Sequence, residues 1–185
     1  AGPGIASAAG VPAYALRPVR LVVPFTPGGS NDIIARVVSQ KLSESIGQQI
    51  IIDNRGGAGG SVGAEIVARA APDGYTLLLA NPGPNVINPL LRPKLSYGIG
   101  DFTAIVLLGS SPVIVVAHPA LAARTLKELV ALAKSRPGQV SSASSGTGTS
   151  IHLALEMFKS VTGADILHRS EEHTSELQAR LHLVC

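Results

Sequence analysis

Tryptophan is absent from the 185-residue chain, and tyrosine and phenylalanine occur three times each. Nucleic-acid recognition by stacking bases on rings therefore has little to work with. Cysteine occurs once, as Cys185, which excludes a disulfide framework, a C-x-x-C pair and a cysteine-based zinc site within one chain. Charge is scarce too: 15% of residues are Asp, Glu, Lys or Arg, and the net charge is +3. The basic residues are scattered, which describes a solvated surface and not a phosphate-backbone footprint, so no nucleic-acid partner is expected. No apolar run approaches the roughly 20 residues that a membrane-spanning helix needs. No two histidines stand at metal-ligand spacing on a helix, and neither a metal nor a cofactor is expected. What the chain has in quantity is apolar residues (45%), 20 glycines and 13 prolines. That composition fills a core and interrupts it often with turns. The length fits one domain or two small ones.

The order of the apolar runs is informative. Arg20 to Phe25 (RLVVPF) reads as a buried strand. A helix follows, with Ile33, Ile34, Val37, Val38, Leu42 and Ile46 as its apolar face. Ser30 or Asn31 is expected to cap it, Asp32 suits its first turn, and Gly47 is the stop. Gln49 to Asp53 is a second strand, NRGGAGGS a glycine-rich loop, and Ala64, Ile66, Val67 and Ala70 mark a second helix ended by Pro72-Asp73-Gly74. Tyr75 to Ala80 is a third strand. This β-α-β-α-β order predicts an α/β fold with a parallel sheet covered by helices. Residues 81–103 are loop-rich. Ala104 to Ala117 (AIVLLGSSPVIVVA) reads as one bent strand passing between two lobes. Thr125-Leu126-Lys127-Glu128 is a capping box opening a third helix through Leu129, Leu132 and Ala133. Val140 to Ser145 is a strand, GTGTS a second kind of glycine turn, Ile151 to Val161 a fourth helix, and Ala164 to His168 the start of another strand. A second β-α-β-α-β thus begins near residue 118.

Three strand-to-helix turns are rich in glycine and hydroxyls: TPGGSN (26–31), GGAGGS (56–61) and GTGTS (146–150). In an open parallel sheet such turns share the carboxyl edge, where ligands bind. Helix N-termini there offer unpaired N–H donors and the positive end of the dipole. The ligand such a site favours is an anion held without covalent chemistry; the alternative is that the glycines only serve the turns. There is no G-x-x-x-x-G-K-[ST], and Gly57, Gly59 and Val62 miss a strict G-x-G-x-x-G at its third place. Gly59-Gly60-Ser61-Val62-Gly63 matches G-x-S-x-G, so a serine hydrolase using Ser61 is the alternative function. Against it, residues 54–59 separate the serine from its strand, and His118, His152 and His168 have no evident partner. His152 either touches a ligand or packs at the start of its helix. Asp32 either caps its helix or meets a ligand's amine. Arg55 either pairs with a carboxylate or is a solvated loop charge.

The two ends differ in character from the rest. Ala13-Tyr14-Ala15 is an A-x-A pattern, as at a signal-peptidase site, so residues 1–15 read as the remnant of a secretory signal. Past His168, charged residues and two histidines crowd into a short stretch, and RSEEHTSELQ resembles the translation of a sequencing-library adapter. Ala179 stands where continued read-through has a serine. On that reading residues 169–185 are non-native; the alternative is an amphipathic terminal helix bearing Leu177, Leu181 and Val184.

The span from Arg17 to His168 carries VPF-x-PGG-x-x-D, (I/V)-x-N-R-x-GAGG-x-x-G, A-PDGYTLL and SSGTGTSIHLALE-x-F-x-x-x-TGADILH in this order. In these motifs it resembles the substrate-binding proteins of tripartite tricarboxylate transporters, the Bug (Bordetella uptake gene) family. The resemblance implies a two-lobed periplasmic binding protein (type II-like, a "Venus flytrap"), monomeric, closing on a small carboxylate and handing it to the small and large membrane subunits of the transporter. It implies no catalysis. Lobe one would be residues 16–117 and a partial lobe two residues 118–168. Where the family continues after ILH with a V-P-Y-K-G-like segment, this chain has RSEEHTSELQ, so the second lobe is expected to be truncated and the chain itself not to be a competent binder. Carried onto the motifs, lobe one contributes Phe25, Thr26, Gly28, Gly29, Ser30, Asn31 and Asp32, with Ala80 and Asn81. Lobe two contributes Thr147, Gly148, Thr149 and Ser150.

Overall fold

The structure is a computed structural model and describes residues 16–110, 112–170 and, for the backbone only, 182–184. The A-x-A pattern at 13–15 and most of the stretch after Ser170 lie outside the described residues. Strand β1 (Val19–Val23) is buried at almost every position, as a continuous apolar run covered on both faces should be. Helix α1 (Ser30–Ile46), strand β2 (Ile50–Asn54), helix α2 (Ser61–Ala68) and strand β3 (Thr76–Leu78) follow. The three strands form a parallel sheet in the order β2-β1-β3, with Val19 opposite Ile50 and Leu21 opposite Leu77. The β1–α1 and β2–α2 loops, and the chain leaving β3, therefore emerge on one edge.

After β3 a π-helical turn (Gly83–Ile87) runs into the short helix α3 (Asn88–Leu91). The chain then passes through strand β4 (Val116–Ala117), helix α4 (Leu126–Ser135), strand β5 (Val140–Ser144), helix α5 (Ser150–Thr162) and strand β6 (Ile166–Ser170). Strand β7 (His182–Val184) inserts between β4 and β5, giving a second sheet ordered β4-β7-β5-β6. Val184 thus lies in a strand and not in a terminal helix. Each sheet has its own apolar cluster. Val19, Leu21, Val23, Ala35, Ile50 and Leu79 pack on the first; Leu121, Leu129, Ala133, Val140, Leu155, Ala164 and Ile166 pack on the second. No helix among the described residues is long and apolar enough to cross a membrane.

Three sequence expectations need correction. The inward stripe of α1 is Asp32, Ala35 and Ser39, continued by the half-buried Leu42 and Ile46. That is strict i, i+3, i+7 spacing. Ile33 (58% exposed), Ile34 and Val37 (61% exposed) sit off this stripe and face solvent, and Val38 is half-buried. Small residues in the first turns are what lets the helix lie close over the sheet. Secondly, neither Ser30 nor Asn31 caps α1: the N-cap is Gly29, which has no side chain to offer. Thirdly, residues 104–110 and 112–115 form no strand. Only Val116 and Ala117 pair, and Ile105, Val106, Leu107 and Leu108 are exposed, because no strand among the described residues lies beside them.

Thr125 caps α4 as expected, but the return half of the capping box is shifted by one residue, to Arg124 in place of the N-cap Thr125. Thr125 Oγ1 accepts from Glu128 N at 3.2 Å, and the Glu128 carboxylate accepts from Arg124 N at 2.6 Å. Gly47 ends α1 in the left-handed region at φ 69°, its N–H donating to Ser43 O.

Candidate functional site

The first loop leaves β1 through Pro24 and enters α1 at Ser30. Phe25 is half-buried, Thr26 to Ser30 are exposed, and Asn31 is half-buried. The loop is held from within by Asp32, whose buried carboxylate accepts from Gly28 N at 3.0 Å and from both Nε and an Nη of Arg36, at 2.9 and 3.2 Å. The hydrogen bond from Arg36 and then that from Gly28 bring the Asp32 pKa down to about 2. Asp32 therefore works in place of a cap side chain: from the third helical position it reaches back to Gly28 and fixes the loop of exposed residues Thr26 to Ser30. Asn54 adds a strut from β2, its Nδ2 donating to Phe25 O at 3.2 Å.

The second loop follows β2. Arg55 donates to Asp53 at 2.8 Å, and Arg20 from β1 donates to the same carboxylate. Burial pushes the Asp53 pKa up, but the hydrogen bonds from Arg20 and Arg55 outweigh it and the net shift is downward. The carboxylate that Arg55 meets is thus one of its own chain. Ser61 begins α2, is 4% exposed, and accepts a hydrogen bond from Asn88 Nδ2 at 2.9 Å. The three histidines outside the tail contact other groups. His118 Nδ1 accepts from Ala120 N, His152 Nδ1 from Gly148 N, and His168 Nε2 lies 2.6 Å from Ser144 Oγ. The hydrolase alternative on Ser61 finds no support in this geometry.

The segment after β3 begins with exposed Ala80 and half-buried Asn81. Asn81 is tied into the π-helical turn: its N–H donates to Asn85 Oδ1 at 3.0 Å and its Oδ1 accepts from Gly83 N at 3.3 Å.

The third loop joins β5 to α5. Thr149 is the N-cap of α5 and is buried; its hydroxyl donates to Gly146 O at 2.8 Å and accepts from His152 N at 3.4 Å. Gly148 is buried and its N–H goes to His152 Nδ1 at 3.2 Å. Thr147 is exposed and Ser150 half-buried. Of the four residues expected from this loop, two therefore hold the loop together, and Thr147 and Ser150 present themselves outward. Behind the loop the His152 and His168 rings lie 4.3 Å apart, inclined at 44°. Burial, followed by the neighbouring His152, lowers the His168 pKa from 6.5.

The third loop meets the second loop and the π-helical turn. Arg92 donates to Thr147 O at 3.4 Å, and the Gly59, Gly83 and Asn88 region packs on Thr147, Gly148 and Thr149. Gly83, Asn88 and Arg92 were not singled out from the sequence. Nothing local marks them, because their partners lie far away along the chain.

A family model described as the tripartite tricarboxylate transporter family receptor matches residues 34–179. The chain belongs to this family. Among curated relatives, Protein BugT of Bordetella pertussis is 39% identical over 165 residues, covering 88% of this chain and 51% of BugT. Three solved structures are similar. One described as a periplasmic transporter has a TM-score of 0.77 at 38% identity, covering 92% of this chain and 60% of its own. A protein of R. palustris with adipate has a TM-score of 0.81 at 35% identity, covering 85% and 53%. MatC from Rhodopseudomonas palustris with bound malate has a TM-score of 0.79 at 32% identity, covering 85% and 54%. The family is a receptor family, and its fold is that of periplasmic binding proteins. The chain spans about half the length of the curated relatives it matches. The family match runs past His168 to residue 179.

Proposed function

We propose that the full-length protein is a periplasmic receptor that captures a small dicarboxylate and presents it to the small and large membrane subunits of a tripartite transporter, as a monomer and without catalysis. The observation that carries this reading is the placement of exposed Thr26 to Ser30 at the start of α1 and exposed Thr147 at the start of α5 in a chain of this family. Loop N–H groups, hydroxyls and helix N-termini suit carboxylate oxygens, and bridging water extends their reach. The adipate and malate bound by two similar structures favour a dicarboxylate. The ligand set is Phe25, Thr26, Gly28, Gly29, Ser30, Asn31, Ala80, Thr147 and Ser150 as groups near the ligand. Asp32, Asn81, Gly148 and Thr149 hold these in place.

The same reading assigns residues 1–15 to a secretory signal, 16–117 to the first lobe, 118–168 to part of the second and 169–185 to a non-native tail. The two separate apolar clusters favour the division into lobes. The genomic DNA past the His168 codon tests the tail, and titration calorimetry of the protein so extended with adipate, malate and citrate tests the function. Saturable binding of a dicarboxylate without turnover of a p-nitrophenyl ester is expected. Failure of all three acids to bind overturns the dicarboxylate reading.

A further inference from the structure

The turn between β3 and α3 bears no charge, yet the loops of the two sheets meet there. Three glycines mark the meeting. A β-carbon on Gly59 would run into Thr147 O, and one on Gly148 into Asn88 Oδ1. A β-carbon on Gly83 would lie 3.2 Å from both Gly148 O and Thr149 Cα. Asn88 sits at the centre, fully buried. Its Nδ2 donates to Ser61 Oγ at 2.9 Å and approaches Gly59 O at 3.4 Å, which ties it to the β2–α2 loop. Its Oδ1 has no hydrogen-bond partner among the described residues. An unpaired buried carbonyl is costly, and what faces this one is the Cα–H of Gly148, a weak donor at close range. The turn is braced from behind by buried Tyr97, whose hydroxyl donates to Pro84 O at 2.8 Å.

We propose that Asn88 is a positioning residue for the second jaw. It seats Gly148, and with it the Thr147–Ser150 edge, against the β2–α2 loop, so that the two jaws meet in one fixed register. Gly83 is the matching gap on the turn. Asn88 is fully buried and acts through the loop it seats. The functional meaning of the seating rests on the carboxylate reading of the third loop; the seating itself is measurable without any ligand.

Backbone hydrogen exchange of residues 146–149 in the 185-residue chain, compared with β1, is the test. Gly83→Ala is the cleaner variant. Its backbone is not in the left-handed region, and the added methyl meets the third loop, with Asn81 Oδ1 at an ordinary 3.8 Å. Overpacking at this contact should accelerate exchange at 146–149 by about tenfold or more and leave β1 unchanged. Asn88→Ala should do the same by removing the seat. If Asn88→Ala also accelerates β1, it has unfolded the first sheet and Gly83→Ala decides. Unchanged exchange at 146–149 in Gly83→Ala overturns the proposal. So does a wild-type segment that exchanges as fast as exposed residues 104–110. Adipate and malate titrations of the extended protein separate the two readings. If neither acid binds, the carboxylate reading falls and the seating stands on exchange alone. If Gly83→Ala loosens 146–149 but binds adipate as tightly as wild type, the positioning role falls.

Discussion

Gly148 donates its backbone N–H to Nδ1 of His152, one helical turn further on, at 3.2 Å. That bond fixes the chemistry of the ring, because only an unprotonated Nδ1 accepts. Neutral His152 must then carry its proton on Nε2, the nitrogen 3.9 Å from Glu156 Oε1. The imidazole 15N spectrum should show Nδ1 as the bare nitrogen of the neutral ring. His152→Phe should cost Gly148 its protection from exchange, whereas His152→Gln, which keeps an acceptor, should retain most of it.

His168 makes stability depend on pH in a defined window. Burial and the facing His152 make it harder to protonate in the folded chain than at its ordinary 6.5; Lys159 acts in the same direction and Glu156 against. The unfolded chain therefore takes the proton first, so stability rises with pH. The contribution is complete above 6.5, falls as pH drops below 6.5, and levels off under the folded value. Asp32 acts separately, its share being present above 3.8 and lost as pH falls toward about 2. Urea midpoints should decline between about pH 7.5 and 5.5 in wild type and stay nearly flat in His168→Gln.

Thr147 and Thr149 should separate binding from stability. Thr149 spends its hydroxyl on Gly146 O and the His152 N–H, so Thr149→Val should cost about 1 kcal/mol of stability, as loss of an N-cap does. Thr147 is exposed, so Thr147→Val should leave the melting temperature unchanged. If its hydroxyl meets a carboxylate, the extended protein should lose roughly 1.5–3 kcal/mol of dicarboxylate affinity. Calorimetry with adipate and a thermal melt on both variants give the contrast.

The two apolar clusters should respond separately to truncation. Leu129 is 4% exposed in the second cluster. Leu129→Ala should destabilise the second sheet by about 2–5 kcal/mol. Hydrogen exchange should locate that loss in β5 and β6 while β1 keeps its protection. Equal loss in both sheets would show one cooperative unit.

Strand β1 was legible because burial on both faces leaves an unmistakable apolar run, Val19 to Val23; β2, Ile50 to Asn54, was legible from its run of β-branched residues although Ile51 is exposed. The face of α1 was not. Its inward stripe begins with Asp32, Ala35 and Ser39, and nothing in composition says that a carboxylate and a serine point inward while Ile33 and Val37 point out. Asp32 is tolerated there because Arg36 and Gly28 satisfy it, a local arrangement that spacing alone does not reveal. The glycine loops were legible as turns with spare N–H groups. Which of those groups are already taken depends on His152 and Thr149 side-chain geometry. Asn88 was illegible for another reason: its partners Ser61 and Gly59 lie 27 and 29 residues away in the chain.

The ribbon from Ile105 to Leu108, where Leu107 is 83% exposed, has a consequence for handling the isolated chain. It is uncharged and exposed along its length, and Val113 to Val116 repeat the pattern on the far side of Gly109. Two molecules can satisfy each other's backbone there by edge-to-edge association, with no unfolding beforehand. Sample lifetime is therefore expected to fall as protein concentration and kosmotropic salt rise, which light scattering over a dilution series checks. A single lysine placed at Leu107 is the gatekeeper that would reverse this.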